Sequence, residues 1–430
     1  MVKERTALRF DEQNKTVTAG IVTSLAVSIF LCSTFFLFKN LVGLVFADSR
    51  SELLFYIVLP GVILTSVYAV IRGFFWGKKS FYTYSTIELL EEIVMIAVGV
   101  FAISRVDTVM QKAVWASVAV LISYIFSFTL SSITFFFKGG RISNPKNQLK
   151  PLIYSSTPIT FMRTASSLTS SLIALILPAV LIKAGMNMQQ AVSEFGIISG
   201  MTMPLLFIPS TIIGSISLVL TPELAESFYK HNSKKLQSEV EKSTLCAILI
   251  AVLIIPLFVG MGKYIGTLIY NNPLSGVYLR WASPIMLPMS ISMITSSLLN
   301  SIGMERKTLL YYLLGSLALL LCVIFLPILI GNYALILGYF LCYLLTAILN
   351  VALLKKICCK KLEFIKKTLF CLPICLLCCL LCFFTFELAS KFISSFLALI
   401  ISSLLTLICE IIALAIFKVI DINQIKKVSL

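Results

Sequence analysis

The sequence predicts an all-α polytopic membrane protein of about twelve transmembrane helices: two pseudo-repeated helical bundles, the first lacking its first two helices, followed by two C-terminal helices. Three observations predict it. Hydrophobic residues make up 59% of the 430 and charged residues only 13%, well below the charge of a soluble chain. Apolar runs recur along the whole length, each near the ~20 residues that carry a helix across a bilayer. The longest polar stretch, Glu223 to Lys242, is too short to fold as a separate soluble domain.

The apolar segments fall at 17–38, 53–75, 84–104, 113–137, 152–182, 195–220, 243–262, 277–301, 308–330, 332–353, 366–388 and 392–417. The leading MVKERTALRFDEQNKT is polar and mixed in charge, without the apolar core and cleavage site of a signal peptide, so the first apolar segment is expected to stay in the mature protein. The net charge of +16 points to nucleic acid only in a soluble protein; here it is the excess of Lys and Arg that orients membrane helices. With the N-terminus inside, the cytoplasmic segments carry 26 Lys and Arg and the opposite side eight. That bias predicts a multi-pass protein of the cell membrane with both termini cytoplasmic. Arg163 is the one basic residue left over.

A repeat relates Lys15–Gly77 to Lys242–Gly303. Lys15 matches Lys242, Gly43 matches Gly266, Pro60 matches Pro284, Gly77 matches Gly303 and Lys79 matches Lys307, and the matched helices run in the same direction. Parallel repeats of this kind build transporters from two equivalent bundles. The second copy begins near Pro151, two helices ahead of Lys242. At the offset of the Lys15–Lys242 match, the first copy is expected to be short by 76 residues (151 − 227 = −76), the size of one helical hairpin. The expected domains are a four-helix bundle over 1–140, a six-helix bundle over 141–354 and two additional helices over 355–430.

Ionised side chains at bilayer depth cost at least ~2.5–3.5 kcal/mol and normally face a cavity or a partner. Arg163 lies about twelve residues, or roughly 18 Å of helix, beyond the cytoplasmic Lys150, too far to snorkel. It cannot shed its charge. Either it sits in an ion pair within the bundle or it lines a wet cavity where an anionic headgroup binds. Ser166, Ser167, Thr169 and Ser170 supply hydroxyls beside it. A second cluster, TYSTIELLEEIVMI, places Glu88, Glu91 and Glu92 at i, i+3 and i+4, on one helix face. They are candidates for ion coupling, by carrying protons or binding a cation, or for pairing with an arginine elsewhere.

Other patterns carry less. GFFWGKKS has three residues between its glycines where a phosphate loop has four, and no strand precedes it. The single histidine, His231, lies in a polar loop, which argues against a His-based metal or catalytic centre, and no cofactor is expected. Cys371, Cys375, Cys378, Cys379 and Cys382 form a helical stripe that reads as small apolar packing rather than a ligand set. Cys358 and Cys359, beside Lys355, Lys356, Lys360 and Lys361, are candidate acylation sites. In GMTMPLLF the methionines read as packing, while Gly200, Pro204, Pro209 and Gly214 predict a helix able to bend.

RGFFWGKKSFYTYSTIELLEEIVMI (72–96), TPITFMRTASSLTSSLIALILP and EFGIISGMTMPLLFIPSTIIGSISLVLTPELAE (194–226) resemble the signature blocks of the stage V sporulation protein B and polysaccharide-biosynthesis family. That family falls in the superfamily of lipid-linked oligosaccharide flippases, lipid II flippases and multidrug exporters. The resemblance implies a V-shaped pair of six-helix bundles around a central cavity, working by alternating access. It implies outward flipping of an undecaprenyl-linked cell-wall or polysaccharide precursor, here lipid II for spore cortex peptidoglycan. The expected partners are the lipid-linked oligosaccharide or lipid II, membrane lipids and cell-wall synthases, and no nucleic acid.

Within that resemblance Arg163 matches a basic position of the second bundle, Arg72 the family's RG and Glu91 its glutamate, whereas Met95 stands where the family has arginine. The substrate-binding candidates are therefore Arg163, Arg72, Ser166, Ser167 and Ser170. The competing readings are a cation-coupled multidrug exporter of the same fold, using Glu88, Glu91 and Glu92, and an inactive truncated paralogue. A polyprenyl-phosphate transferase needs acidic loop residues for Mg²⁺, and the loops have no Asp-rich motif, so an enzyme is not expected.

Overall fold

The computed structural model describes residues 2–39, 49–230, 232–357 and 363–417. Gly43, His231, Cys358, Cys359, Lys360 and Lys361, singled out in the sequence, lie outside them. Every regular element described is helical. Eleven described helices are long and apolar enough to cross a membrane. The helix expected at 84–104 is present as Phe81–Ile103, yet it is not one of the eleven. The helix is strongly apolar, but any bilayer-length window within it holds all three of Glu88, Glu91 and Glu92.

The chain divides into two compact units, Met1–Thr157 and Pro158–Leu430. The first contains α1 (Val2–Leu37), α2 (Ser49–Gly77), α3 (Phe81–Ile103) and α4 (Val109–Phe137). Here α1 packs on α2, α2 on α4, and α3 on α4. Their shared core is Val17, Val67, Ile71, Phe74, Phe75, Ile87 and Phe135. Ser123, Ser127 and Ser131, one turn apart, form a fully buried polar stripe on α4. Such hydroxyls bond their own helix, as Ser123 does to the Val120 carbonyl at 2.8 Å, and let helices approach closely.

The helix α5 (Leu149–Lys183) runs across the boundary. The second unit continues with α6 (Met188–Ile197), a π-turn (Ile198–Thr202), α7 (Met203–Tyr229) and α8 (Ser233–Tyr270). Next come α9 (Pro273–Ala282), a 3₁₀ turn (Ser283–Ile285), α10 (Met286–Ser301), α11 (Glu305–Phe325) and the short α12 (Pro327–Ile330). The unit ends with α13 (Tyr333–Ile357), α14 (Glu363–Ala389) and α15 (Ser395–Ile416).

The repeat reappears as a pairing scheme. As α1 packs on α2, α8 packs on α9 and α10; as α2 packs on α4, α10 packs on α13; as α3 packs on α4, α11 packs on α13. Pro60 sits inside α2, and its match Pro284 sits in the 3₁₀ turn between α9 and α10. Gly77 closes α2, and Gly303, with φ +81°, follows α10 in the left-handed conformation that glycine adopts without a Cβ clash. Between α8 and α9 the backbones nearly touch: a Cβ on Gly262 would stand 2.9 Å from the Gly276 carbonyl oxygen.

Candidate functional site

Each unit presents one polar cluster at the positions singled out in the sequence. In the first unit the cluster is built on α2 and α3. The Arg72 guanidinium donates to the Tyr84 hydroxyl at 2.6 Å and lies 3.6 Å from the Glu88 carboxylate. It also stacks over the rings of Trp76 and Tyr84, at 5.0 and 5.2 Å from their centroids. Planar guanidinium suits such combined stacking and bonding better than an ammonium does. Glu91, one turn further along α3, is half-buried and bonds the Ser127 hydroxyl of α4. Beside it the Tyr68 hydroxyl is buried with no hydrogen-bond partner.

The three glutamates have different surroundings. Glu88 pairs with arginine; Glu91 bonds a serine; Glu92 is exposed and makes no ion pair or hydrogen bond among the described residues. The three share a face of the helix but point to different parts of it. Glu92 follows Glu91 directly, and a step of one residue turns a side chain by about 100° around the helix. Arg72, expected to bind substrate, is already engaged by Glu88 and Tyr84. Just beyond α2, Lys78 donates to the Lys138 carbonyl at the end of α4 at 3.2 Å, and its ammonium lies 4.2 Å from the Phe74 ring centroid. Burial, and then the nearby Lys138 charge, hold the Lys78 pKa below the usual lysine range.

In the second unit the cluster is built on α5. Arg163, Ser166, Ser167 and Ser170 follow one another at i, i+3, i+4 and i+7, so they form one stripe on the helix. Arg163 is exposed and makes no ion pair or hydrogen bond among the described residues. Buried Ile173, Leu177 and Leu181 anchor the far half of α5 in the core of this unit. Ser166 bonds the Tyr312 side chain of α11. Ser170 lines a cavity of ≈ 250 Å³ together with Ser199, Pro204 and Tyr339. The Tyr339 ring stacks on Tyr343 at 6.3 Å and 18°.

The π-turn shapes one wall of this cavity. Pro204 lacks the N–H that a regular helix would aim at the Gly200 carbonyl, and the strand of bonds loosens there. Met203 N–H instead reaches back five residues to the Ile198 carbonyl. The turn is tied down on its other side, where Thr202 Oγ1 donates to the Ser275 carbonyl at 2.9 Å. Around Gly200 and Pro204, where a helix able to bend was expected, the helix changes type locally.

Tyr312 and Tyr339 escaped sequence reading because a tyrosine in an apolar helix looks like packing. A larger cavity of ≈ 700 Å³, lined by Phe101, Arg105 and Trp115, contains none of the predicted site residues and is almost wholly apolar. Among the described residues no group of three His, Cys, Asp or Glu side chains is placed to hold a metal ion.

Comparison with known proteins bears out the resemblance drawn from the signature blocks. The chain is similar to stage V sporulation protein B of Bacillus subtilis, with 21% identity over 333 residues, which are 74% of this chain and 64% of that protein. It thus spans a little under two thirds of that relative's length. No protein-family model matches. Among solved structures it is similar to a eukaryotic MATE transporter, at a TM-score of 0.65 with 13% identity, covering 81% of this chain and 79% of that one. It is also similar to a MOP superfamily transporter from Pyrococcus furiosus described by the reverse polarity of its binding pocket. That match has a TM-score of 0.62 and 18% identity, and covers 80% and 79% of the two chains. The chain is a polytopic helical membrane protein with the fold of these transporters.

Proposed function

We propose that this protein flips an anionic, undecaprenyl-pyrophosphate-linked saccharide across the cell membrane, with both termini cytoplasmic, and that its substrate is a peptidoglycan precursor of the lipid II type. The observation that carries this reading is Arg163: a permanent cation at bilayer depth, without an ion pair among the described residues, in a stripe of hydroxyls. A phosphate oxygen neutralises it with charge-assisted hydrogen bonds. Farther along the same stripe, Ser170, Ser199 and Tyr339 offer a sugar ring the hydroxyls and aromatic face that its polar edge and apolar face take up. The lipid tail stays in the bilayer.

A second reading, a cation-coupled multidrug exporter, draws on Glu91 and Glu92, which have no arginine ion pair among the described residues, and on the likeness to MATE transporters. Substrate sign separates the two. In proteoliposomes holding the full chain, a fluorescent undecaprenyl-pyrophosphoryl saccharide should become accessible on the opposite leaflet, and a lipophilic cationic dye should not be moved. Dye movement with no lipid movement would establish the exporter instead.

A further inference from the structure

Among the described residues, the most isolated acid lies outside both clusters. Glu410 on α15 is fully buried, and neither carboxylate oxygen has a hydrogen-bond partner. It ends a polar line on that helix: Ser402, Thr406 and Glu410, one turn apart, are each completely covered. Thr406 donates to the Ser402 carbonyl at 2.7 Å, while the Ser402 hydroxyl, like Glu410, has no partner. Across from this line α14 presents the buried thiols of Cys371, Cys375, Cys378, Cys379 and Cys382. Cys382 lies beside Thr406, and the Cys375 thiol donates to the Val252 carbonyl of α8 at 3.8 Å.

Among the described residues no cation answers the carboxylate. The titratable groups that α14 brings to it are those five thiols; Cys409 is its neighbour on α15. The third helix of the contact, α8, has Cys246 as its only titratable residue between 243 and 262. An ionised carboxylate cannot persist in a dry interior without a counter-charge or hydrogen bonds. A metal in its place would need ligands in range, and none of these groups is arranged as a metal set among the described residues. A proton satisfies the site without either.

We propose that Glu410, in line with Thr406 and Ser402, is a membrane-embedded proton-binding site in the C-terminal helix pair, separate from the glutamates of α3. Its ligand is a proton exchanged with water along the hydroxyl and thiol seam between α14 and α15. The inference concerns energy coupling and does not rest on which lipid is moved.

The test begins with the wild-type chain in its own membranes and dicyclohexylcarbodiimide, a hydrophobic reagent for protonated carboxyls. The acid proton passes to a carbodiimide nitrogen, the carboxyl oxygen bonds the central carbon, and the acyl group then migrates to nitrogen as a stable adduct. Peptide mass spectrometry should find that adduct on Glu410. Infrared spectra of the chain in liposomes should show a protonated-carboxyl C=O band that shifts on transfer to D₂O and is lost in Glu410→Gln. An unlabelled Glu410 peptide would overturn the proposal, and so would a band that D₂O leaves unmoved, which marks a sealed structural acid. Suppression of labelling by Na⁺ at constant pH would overturn it in favour of a metal cation. Because labelling of the wild-type chain needs no variant, misfolding of Glu410→Gln leaves the test intact.

Discussion

The Arg72 guanidinium lies 3.6 Å from the Glu88 carboxylate, joining the end of α2 to the start of α3, and the Tyr84 hydroxyl fixes it there at 2.6 Å. The side chains are 32% and 51% exposed, so the pair is open to water or to a polar ligand. An exposed pair of this kind contributes about 0.2–1 kcal/mol, and charge exchange preserves it. In detergent, Arg72→Ala and Glu88→Gln should each lower Tm slightly, with a double-mutant coupling in that range. The Arg72→Glu, Glu88→Arg exchange should recover part of it. Full additivity of the single variants would show that the pair does not couple.

The cavity in the second unit yields a prediction about recognition. Stacking on an aromatic face is worth about 0.5–1.5 kcal/mol, which corresponds to about tenfold or less in affinity. Tyr339→Ala should weaken the apparent affinity for the lipid-linked saccharide by that factor, and Tyr339→Phe should leave it nearly unchanged. Equal loss in both variants would assign the role to the hydroxyl. Transport assays at graded substrate density separate these cases.

The close approach of α8 and α9 tolerates no side chain. A Cβ at Gly276 would meet the Gly262 carbonyl, and one at Gly262 would stand 2.9 Å from the Gly276 carbonyl. Because both neighbours are backbone, the helices must separate. Gly276→Ala should cost about 1–3 kcal/mol and lower the Tm of the purified chain. Gly73→Ala, where a Cβ meets nothing within 4 Å, is the matched control and should not.

Lys78 and Lys138 give a pH prediction for the first unit. The folded pKa of Lys78 is lowered, by burial first and by Lys138 second. Between the lowered folded value and the unfolded one, the unfolded chain binds more protons, so stability rises with pH through that window. Lys138→Met should flatten this alkaline rise in Tm. An unchanged slope would show that Lys138 does not act on Lys78.

Much of this architecture was legible in the sequence because bilayer-length apolar runs admit few structures other than helices. Arg163 stood out for the same reason: a permanent charge in such a run has few explanations. Lateral relationships were hidden. Arg72 and Glu88 belong to adjacent helices, and no spacing rule says which side chains face across such a pair. The likeness of Glu88, Glu91 and Glu92 as a triplet ends where Glu88 pairs with Arg72, Glu91 meets Ser127 and Glu92 has no partner among the described residues. Glu410 had a readable signal, a lone acid in the apolar run ICEIIALAI, which the clustered glutamates of α3 overshadowed.

The central claim is that Arg163 holds an anionic headgroup. The most direct measurement is the accessibility of the lipid-linked precursor to an external, membrane-impermeant enzyme in cells carrying wild-type, Arg163→Lys or Arg163→Ala chains at equal membrane abundance. Arg163→Ala should lose accessibility and Arg163→Lys should retain part of it, since an ammonium keeps the charge without the planar fork. Wild-type accessibility in Arg163→Ala would contradict the account.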